Sequence, residues 1–232
     1  MSQENNIPFE NILENASSEG YVDKLISFLE LHLPDFTDEF AVDSSINEND
    51  ITELLYKHLT KRKRYNNEEV EYPFDFQPEK SQKKKKAKGH AKRVDMAANL
   101  LVADRDLQVV FTIEAKKLPT DKEKGKREKE YVSHTNSKLK PAGGIQRFKE
   151  ELHGIDDQGD FLPRNGIIAY TSEKCHLDWF DKVNVWIDEC SWGEQERLVN
   201  KYYSKVSKFT SIHKTITSRK VSLEHFWIEV KP

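Results

Sequence analysis

Apolar and polar residues recur along this chain with two different periods, and the periods divide it into helical and extended stretches. From Tyr21 to Leu33, Val22, Leu25, Ile26, Leu29 and Leu33 fall at helical spacing, and Pro34 is expected to stop that helix. A second stripe, Ile51, Leu55 and Leu59, follows cap-forming residues at 46–50 and predicts another helix. Residues 61–93 read as a charge-rich connection holding a short aromatic strand at Tyr72–Phe76. Leu107 to Leu118, LQVVFTIEAKKL, is β-branched and apolar and reads as a buried strand. Asn165 to Thr171, NGIIAYT, is a continuous apolar run suited to a central strand. Between these two, Gly143-Gly144 opens a predicted helix at Ile145–His153, closed by Gly154. Strand, helix and strand then form a right-handed crossover between parallel strands. Helices are expected over about 174–189, with Trp179, Val183, Trp186 and Ile187 inward, and over about 193–204. Val206–Ile216 and Val221–Val230 alternate around Thr217-Ser218-Arg219 and predict a C-terminal β-hairpin. The expected architecture is α/β, a mixed β-sheet flanked by helices. Residues 1–20 form a loose arm ahead of one domain at 21–232, its core over about 46–172 and its C-terminal helices and hairpin over 173–232.

The strand at 107–118 also carries chemistry. Side chains alternate faces, so Phe111, Ile113 and Ala115 share one side while Thr112, Glu114 and Lys116 share the other. An acid and a lysine at the inner end of an apolar strand cost desolvation energy, which marks them as candidates for function. Upstream, Asp95 sits in a second apolar setting, Arg93-Val94-Asp95-Met96-Ala97. Folding the Asp-Arg-Asp turn at 104–106 into a hairpin brings Asp95 towards Glu114 and Lys116. On the second helix, Glu48 lies three residues before Ile51 and seven before Leu55, hence on the inward side, whereas Glu53 points nearly opposite. A glutamate favoured at a helix start by the macrodipole explains Glu48 equally well. Glu79 is a further acid whose direction the sequence leaves open.

Asp95, then 18 residues, then Glu114-Ala115-Lys116, on two paired strands, resembles the PD-(D/E)XK nuclease superfamily, with Val94 where the proline is usual. The resemblance implies a restriction-endonuclease-like fold and a Mg²⁺-dependent endonuclease, Mn²⁺ being a possible substitute. Asp95, Glu114 and the Ala115 carbonyl would hold the metal through oxygen ligands, Lys116 would be catalytic, and Glu48 and Gln146 are further candidate catalytic positions. By analogy the setting is bacterial restriction or phage defence, with a homodimer or a separate recognition or ATPase subunit as partners. Three other readings stand beside it. One is a catalytically idle nucleic-acid-binding or partner subunit of the same fold, and one is an RNA-cleaving nuclease. The third is a scaffold protein whose lysines merely protect an edge strand.

Charge adds a polyanion to the picture. The 232 residues carry a net charge of only -3 with 33% charged residues, so any nucleic-acid footprint must be local. The run from Lys80 to Arg93 leads straight into Asp95, and Lys83, Lys84, Lys85, Lys86, Lys88, Lys92 and Arg93 are candidate phosphate contacts. Arg147, on the predicted helix after the lysine strand, is another. The tryptophans read as packing groups, and His213 and His225, without a partner at ligand spacing, as structural. Cys175 and Cys190 show neither metal-ligand spacing nor a disulfide framework. The polar, acidic N-terminus is unlike a signal peptide, and no apolar stretch approaches the roughly 18–20 residues that span a bilayer, so a cytoplasmic protein is expected.

Overall fold

A computed structural model of the chain describes residues 18–40, 42–65, 72–82, 92–101, 108–120, 129–135, 140–202 and 205–231. Among these residues seven strands form one mixed sheet: β1 (Phe74–Gln82), β2 (Lys92–Leu100), β3 (Gln108–Leu118), β4 (Arg164–Thr171), β5 (Val199–Tyr202), β6 (Val206–Lys214) and β7 (Lys220–Glu229). They lie side by side in the order β1-β2-β3-β4-β7-β6-β5. The three central strands β3, β4 and β7 run parallel, and antiparallel pairs flank them on both sides. The sheet is therefore mixed and the fold α/β, with the expected hairpin present as β6–β7.

Alternation along the central strands fills a core on each face of the sheet. Ile168 and Tyr170 of β4 and Phe226 and Ile228 of β7 pack with helices α1 (Ser18–Glu39) and α2 (Glu48–Tyr65). Their neighbours Ile167, Ala169 and Trp227 point the other way, against Phe148 of α3 (Gly144–Lys149) and Trp179, Val183, Trp186 and Ile187 of α4 (His176–Glu189). The tryptophans thus serve as packing groups.

Several predicted boundaries move. Helix α1 begins at Ser18, inside the expected arm, and passes through Pro34 to Glu39. A proline removes one helical hydrogen bond, and burial of Leu33 and Phe36 on either side of it outweighs that loss. Helix α3 ends at Lys149, well short of Gly154. Glu151 takes the left-handed conformation (φ 52°), with the Glu151 N–H bonded to the Phe148 carbonyl and the Leu152 N–H to that of Arg147. That is a Schellman closure formed without glycine, and the Glu151 carboxylate is held there by Thr215 and Thr217. The helix expected over 193–204 is instead a single 3₁₀ turn at Glu194–Glu196 followed by strand β5. Buried Glu196 is bonded to His213 (2.8 Å) and to Lys149, which turns the chain away from a helical path and onto the edge of β6.

His213 and His225 are fully buried in one hydrogen-bonded chain. It runs from Trp227 to the Tyr131 hydroxyl (2.9 Å), then to His225 (2.6 Å), Ser211 (2.8 Å), His213 (2.7 Å) and Glu196. Burial raises the Glu196 carboxyl, but its bonds to His213 and Lys149 prevail and bring it down to about 2. A buried polar chain satisfied link by link fixes where β6, β7 and the 3₁₀ turn meet.

The start of α3 is set by close approach. A Cβ on Gly143 would lie 2.4 Å from the Ser133 Cα, and one on Gly144 would lie 2.8 Å from the Tyr131 carbonyl oxygen. Segment 131–134 is further bound to α3 by the Gln146 N–H on the Val132 carbonyl (2.9 Å). Gly143→Ala is expected to cost about 3 kcal/mol, because backbone rather than a flexible side chain must move. Urea unfolding at pH 7 checks this, and a change below about 0.5 kcal/mol would mean that the loop yields freely.

Candidate active site

The site lies where two strands part. β2 pairs with β3 from Leu100 to Met96 and then leaves it, staying instead with β1 as far as Lys92. β3 continues to Leu118 against β4 alone. The main-chain groups of Ala115 and Lys117 therefore point into a fork with no strand to receive them. Carboxylates take that place: Asp95 Oδ2 accepts from the Ala115 N–H (2.6 Å) and Glu48 Oε2 from the Lys117 N–H (2.9 Å). In a buried setting an unsatisfied N–H is costly, so each acid is held by a backbone requirement as well as by charge.

Lys116 sits between three acids. Its Nζ lies 2.9 Å from Glu114 Oε1 and 3.3 Å from Glu48 Oε1, and it donates to the Ala115 carbonyl at 2.6 Å. Burial lowers the ammonium's affinity for its proton, but Glu114, Glu48 and Asp95 together more than restore it, so Lys116 is held charged. Glu114, only 1% exposed, takes a second cation, Arg147 Nη1, at 2.5 Å on the same Oε1. Burial would raise its carboxyl, yet Lys116, His153 and Arg147 keep it well below the usual carboxylate range. The fully buried His153 places Nδ1 3.1 Å from Glu114 Oε2 but off the direction of a hydrogen bond. Asp95 goes the opposite way. Burial first, and then the Glu114 charge, push its carboxyl up to about 7 against the pull of Lys116 and the Ala115 N–H.

Lys117 fixes the frame. Its Nζ donates to the carbonyls of Ser44 (2.7 Å) and Ile46 (3.1 Å), tying the segment before α2 to β3. Asn47 then caps α2 by accepting the Asp50 N–H (2.9 Å), which delivers Glu48 to the fork.

Asp95, Glu114, Lys116 and Glu48 are thus brought together with the Ala115 carbonyl. Gln146 is not. Its carbonyl oxygen accepts the His134 N–H (3.1 Å) and its amide donates to Glu150 (3.0 Å), so its side chain serves the 131–134 segment, away from Glu114. Arg147, the next residue round the helix, faces the site and contacts Glu114. Glu53 is exposed and paired with Lys57 (2.6 Å). Glu79 is paired with the exposed Arg93 (2.9 Å). Lys83, Lys84, Lys85, Lys86 and Lys88 and the turn at 104–106 lie outside the described residues, and Lys92 is the first residue of β2. His153 and Lys117 were not singled out by pattern. His153 falls at the predicted helix end and Lys117 is the second of two lysines ending the strand, and no local signal distinguishes either.

A cleft of about 410 Å³ opens on Asp95, walled by Asn49, Thr52 and Tyr56 of α2 and by Pro78 and Glu79 of β1. Among the described residues no three His, Cys, Asp or Glu side chains are disposed to hold a metal ion. The donor set at the fork is of another kind, two carboxylates and a main-chain carbonyl, all hard oxygen ligands of the type Mg²⁺ or Mn²⁺ takes with water completing the shell. Two observations fit such an ion. Glu114 Oε2 is buried with no hydrogen-bond partner among the described residues, and burial and the Glu114 charge push the Asp95 carboxyl up to about 7, a penalty that a cation between the two would relieve.

Family models, curated proteins and solved structures yield no match to this chain. Among the described residues no helix is long and apolar enough to cross a membrane.

In metal-free buffer the folded protein keeps the Asp95 proton up to about pH 7, while the unfolded chain releases it near 3.8. Between those values the native state binds more protons, so stability falls as pH rises through the window. Asp95→Asn cannot ionise and keeps an acceptor for the Ala115 N–H. Its advantage over wild type should be absent below pH 4 and grow towards pH 8, to the order of 2 kcal/mol. Thermal melts across this range check it, and parallel profiles would show that the carboxyl ionises unhindered.

Proposed function

We propose that this protein is a metal-dependent nuclease that hydrolyses phosphodiester bonds of DNA, with a restriction-endonuclease-like fold. The observation that carries the reading is the fork itself: Asp95, Glu114 and Glu48 converge on one buried, charged lysine beside a free strand end. The unpaired strand N–H groups account for Asp95 and Glu48, but a scaffold protein gains nothing from a third carboxylate, Glu114, where burial penalises it, and a lysine guarding a sheet edge would be exposed rather than buried.

Asp95, Glu114 and the Ala115 carbonyl would hold Mg²⁺ or Mn²⁺. When bound, such an ion polarises a phosphate and makes water more acidic at neutral pH. Lys116, held protonated, supplies positive charge for the phosphate oxygens where negative charge accumulates, and the proton it gives to Glu114 would be free to orient an attacking water once that carboxylate is engaged by the ion. Glu48 keeps Lys116 at that station and holds the Lys117 N–H. The lysine-rich run leading into Asp95 supports DNA as the polyanion, through contacts that follow the backbone and not the base sequence. Restriction or phage defence is the setting this chemistry suits, with a homodimer or a partner subunit for recognition.

Plasmid DNA incubated with Mg²⁺ or Mn²⁺ should be nicked or cut, and EDTA should stop the reaction. Asp95→Asn and Lys116→Gln, shown to be folded by circular dichroism, are each expected to lose about 100-fold or more in rate. Undiminished cutting by either variant sinks the assignment. Salt-sensitive DNA binding without cutting under any metal would mark a binding subunit of the same fold, and cleavage of RNA alone would change the substrate.

A further inference from the structure

The Arg147 guanidinium occupies an odd position for a residue offered to phosphate. Its Nη1 is spent on Glu114 at 2.5 Å, while its Nε is buried and without a hydrogen-bond partner among the described residues. The side chain is 22% exposed, so the group spans from the buried carboxylate to the surface. Glu114 has no access to water and is flanked on its other oxygen by His153, so it depends on cations for its charge. Lys116 cannot supply all of that, because its three protons already serve Glu114, Glu48 and the Ala115 carbonyl.

An ion arriving on Glu114 would add two positive charges beside the buried Lys116 and the half-buried Arg147, and repulsion between like charges so little exposed to water is strong. Either Arg147 leaves or the ion is kept out. A phosphodiester offers Arg147 somewhere to go, since a guanidinium fork pairs with phosphate as well as with carboxylate.

Building on the metal-dependent nuclease reading, we propose that Arg147 is an internal counterion standing in for the metal on Glu114, and that nucleic acid draws it off. Metal and DNA then bind cooperatively, and the free protein has weak metal affinity. Arg147 acts through Glu114 and is a positioning residue.

Calorimetric titration of Mn²⁺ into wild type, Arg147→Gln and Arg147→Lys, each alone and with a nuclease-resistant phosphorothioate DNA duplex, tests this. Without DNA, Arg147→Gln should bind Mn²⁺ roughly tenfold more tightly than wild type, the scale of one charge-assisted hydrogen bond, while Arg147→Lys stays near wild type. The duplex should tighten Mn²⁺ binding to wild type clearly more than to Arg147→Gln, because only in wild type does it also free Glu114 of its counterion. A merely structural arginine would weaken metal binding when removed. Mn²⁺ uptake by wild type with equal or weaker uptake by Arg147→Gln overturns the inference and leaves the site reading standing. If Arg147→Gln fails to fold, a wild-type affinity unmoved by the duplex overturns it instead. No Mn²⁺ uptake by any of the proteins removes the metal site, and the inference with it.

Discussion

Two main-chain N–H groups at the end of a buried strand, those of Ala115 and Lys117, have no neighbouring strand to bond to. The sheet would ordinarily supply β2, but β2 follows β1 away after Met96. A buried donor left without a partner costs as much as many whole interactions are worth, so something must replace the strand. Asp95 and Glu48 do so, one from the departing strand and one from the first turn of α2. That solution places two carboxyl groups at the mouth of the fork, and the alternation of β3 places a third, Glu114, close by. Lys116 and Arg147 are then needed as counterions. The charged cluster follows from the parting of the strands.

The two cores hold the fork open. On one face Phe111, Ile113 and Ala115 pack with α1 and α2, fixing β3 and the helix that delivers Glu48. On the other, Phe148 and Ile145 seat α3 so that Arg147 meets Glu114, while the backbone approach at Gly143 prevents the helix from sliding. Lys117, on the α2 face, ties the segment ahead of that helix to β3 by binding its carbonyls.

Two buried polar systems among the described residues differ in character. From Trp227 through Tyr131, His225, Ser211 and His213 to Glu196, each donor meets an acceptor, and burial lowers the histidines' proton affinity so that they rest neutral. That system is closed and serves packing. The cluster around Lys116 is not closed. Among the described residues Glu114 keeps an oxygen without a hydrogen bond, Asp95 holds its proton more tightly than it would in water, and a cleft opens on Asp95. Unbalanced charge beside an opening is what separates a place for chemistry from a place for stability.

Much of this was written in the sequence. The apolar period of 107–118, the run at 165–171 and the alternation at 206–230 determined the central strands, because burial on both faces demands continuous or alternating apolar residues. The same alternation put Glu114 and Lys116 on one side, and the stripe of Ile51, Leu55 and Leu59 turned Glu48 inward. What the sequence could not decide were matters of partners far along the chain. Whether α1 stopped at Pro34 depended on what Phe36 could bury. Whether 193–204 was helical depended on a histidine seventeen residues after Glu196. Gln146 and Arg147 were equally polar neighbours on one short helix, and only the seating of that helix on segment 131–134 sent the first to a loop and the second to Glu114. His153 and Lys117 carried no local mark at all. Local pattern determines which face a residue takes, whereas the carboxylate, carbonyl or cation that waits there is set by the packing of distant segments.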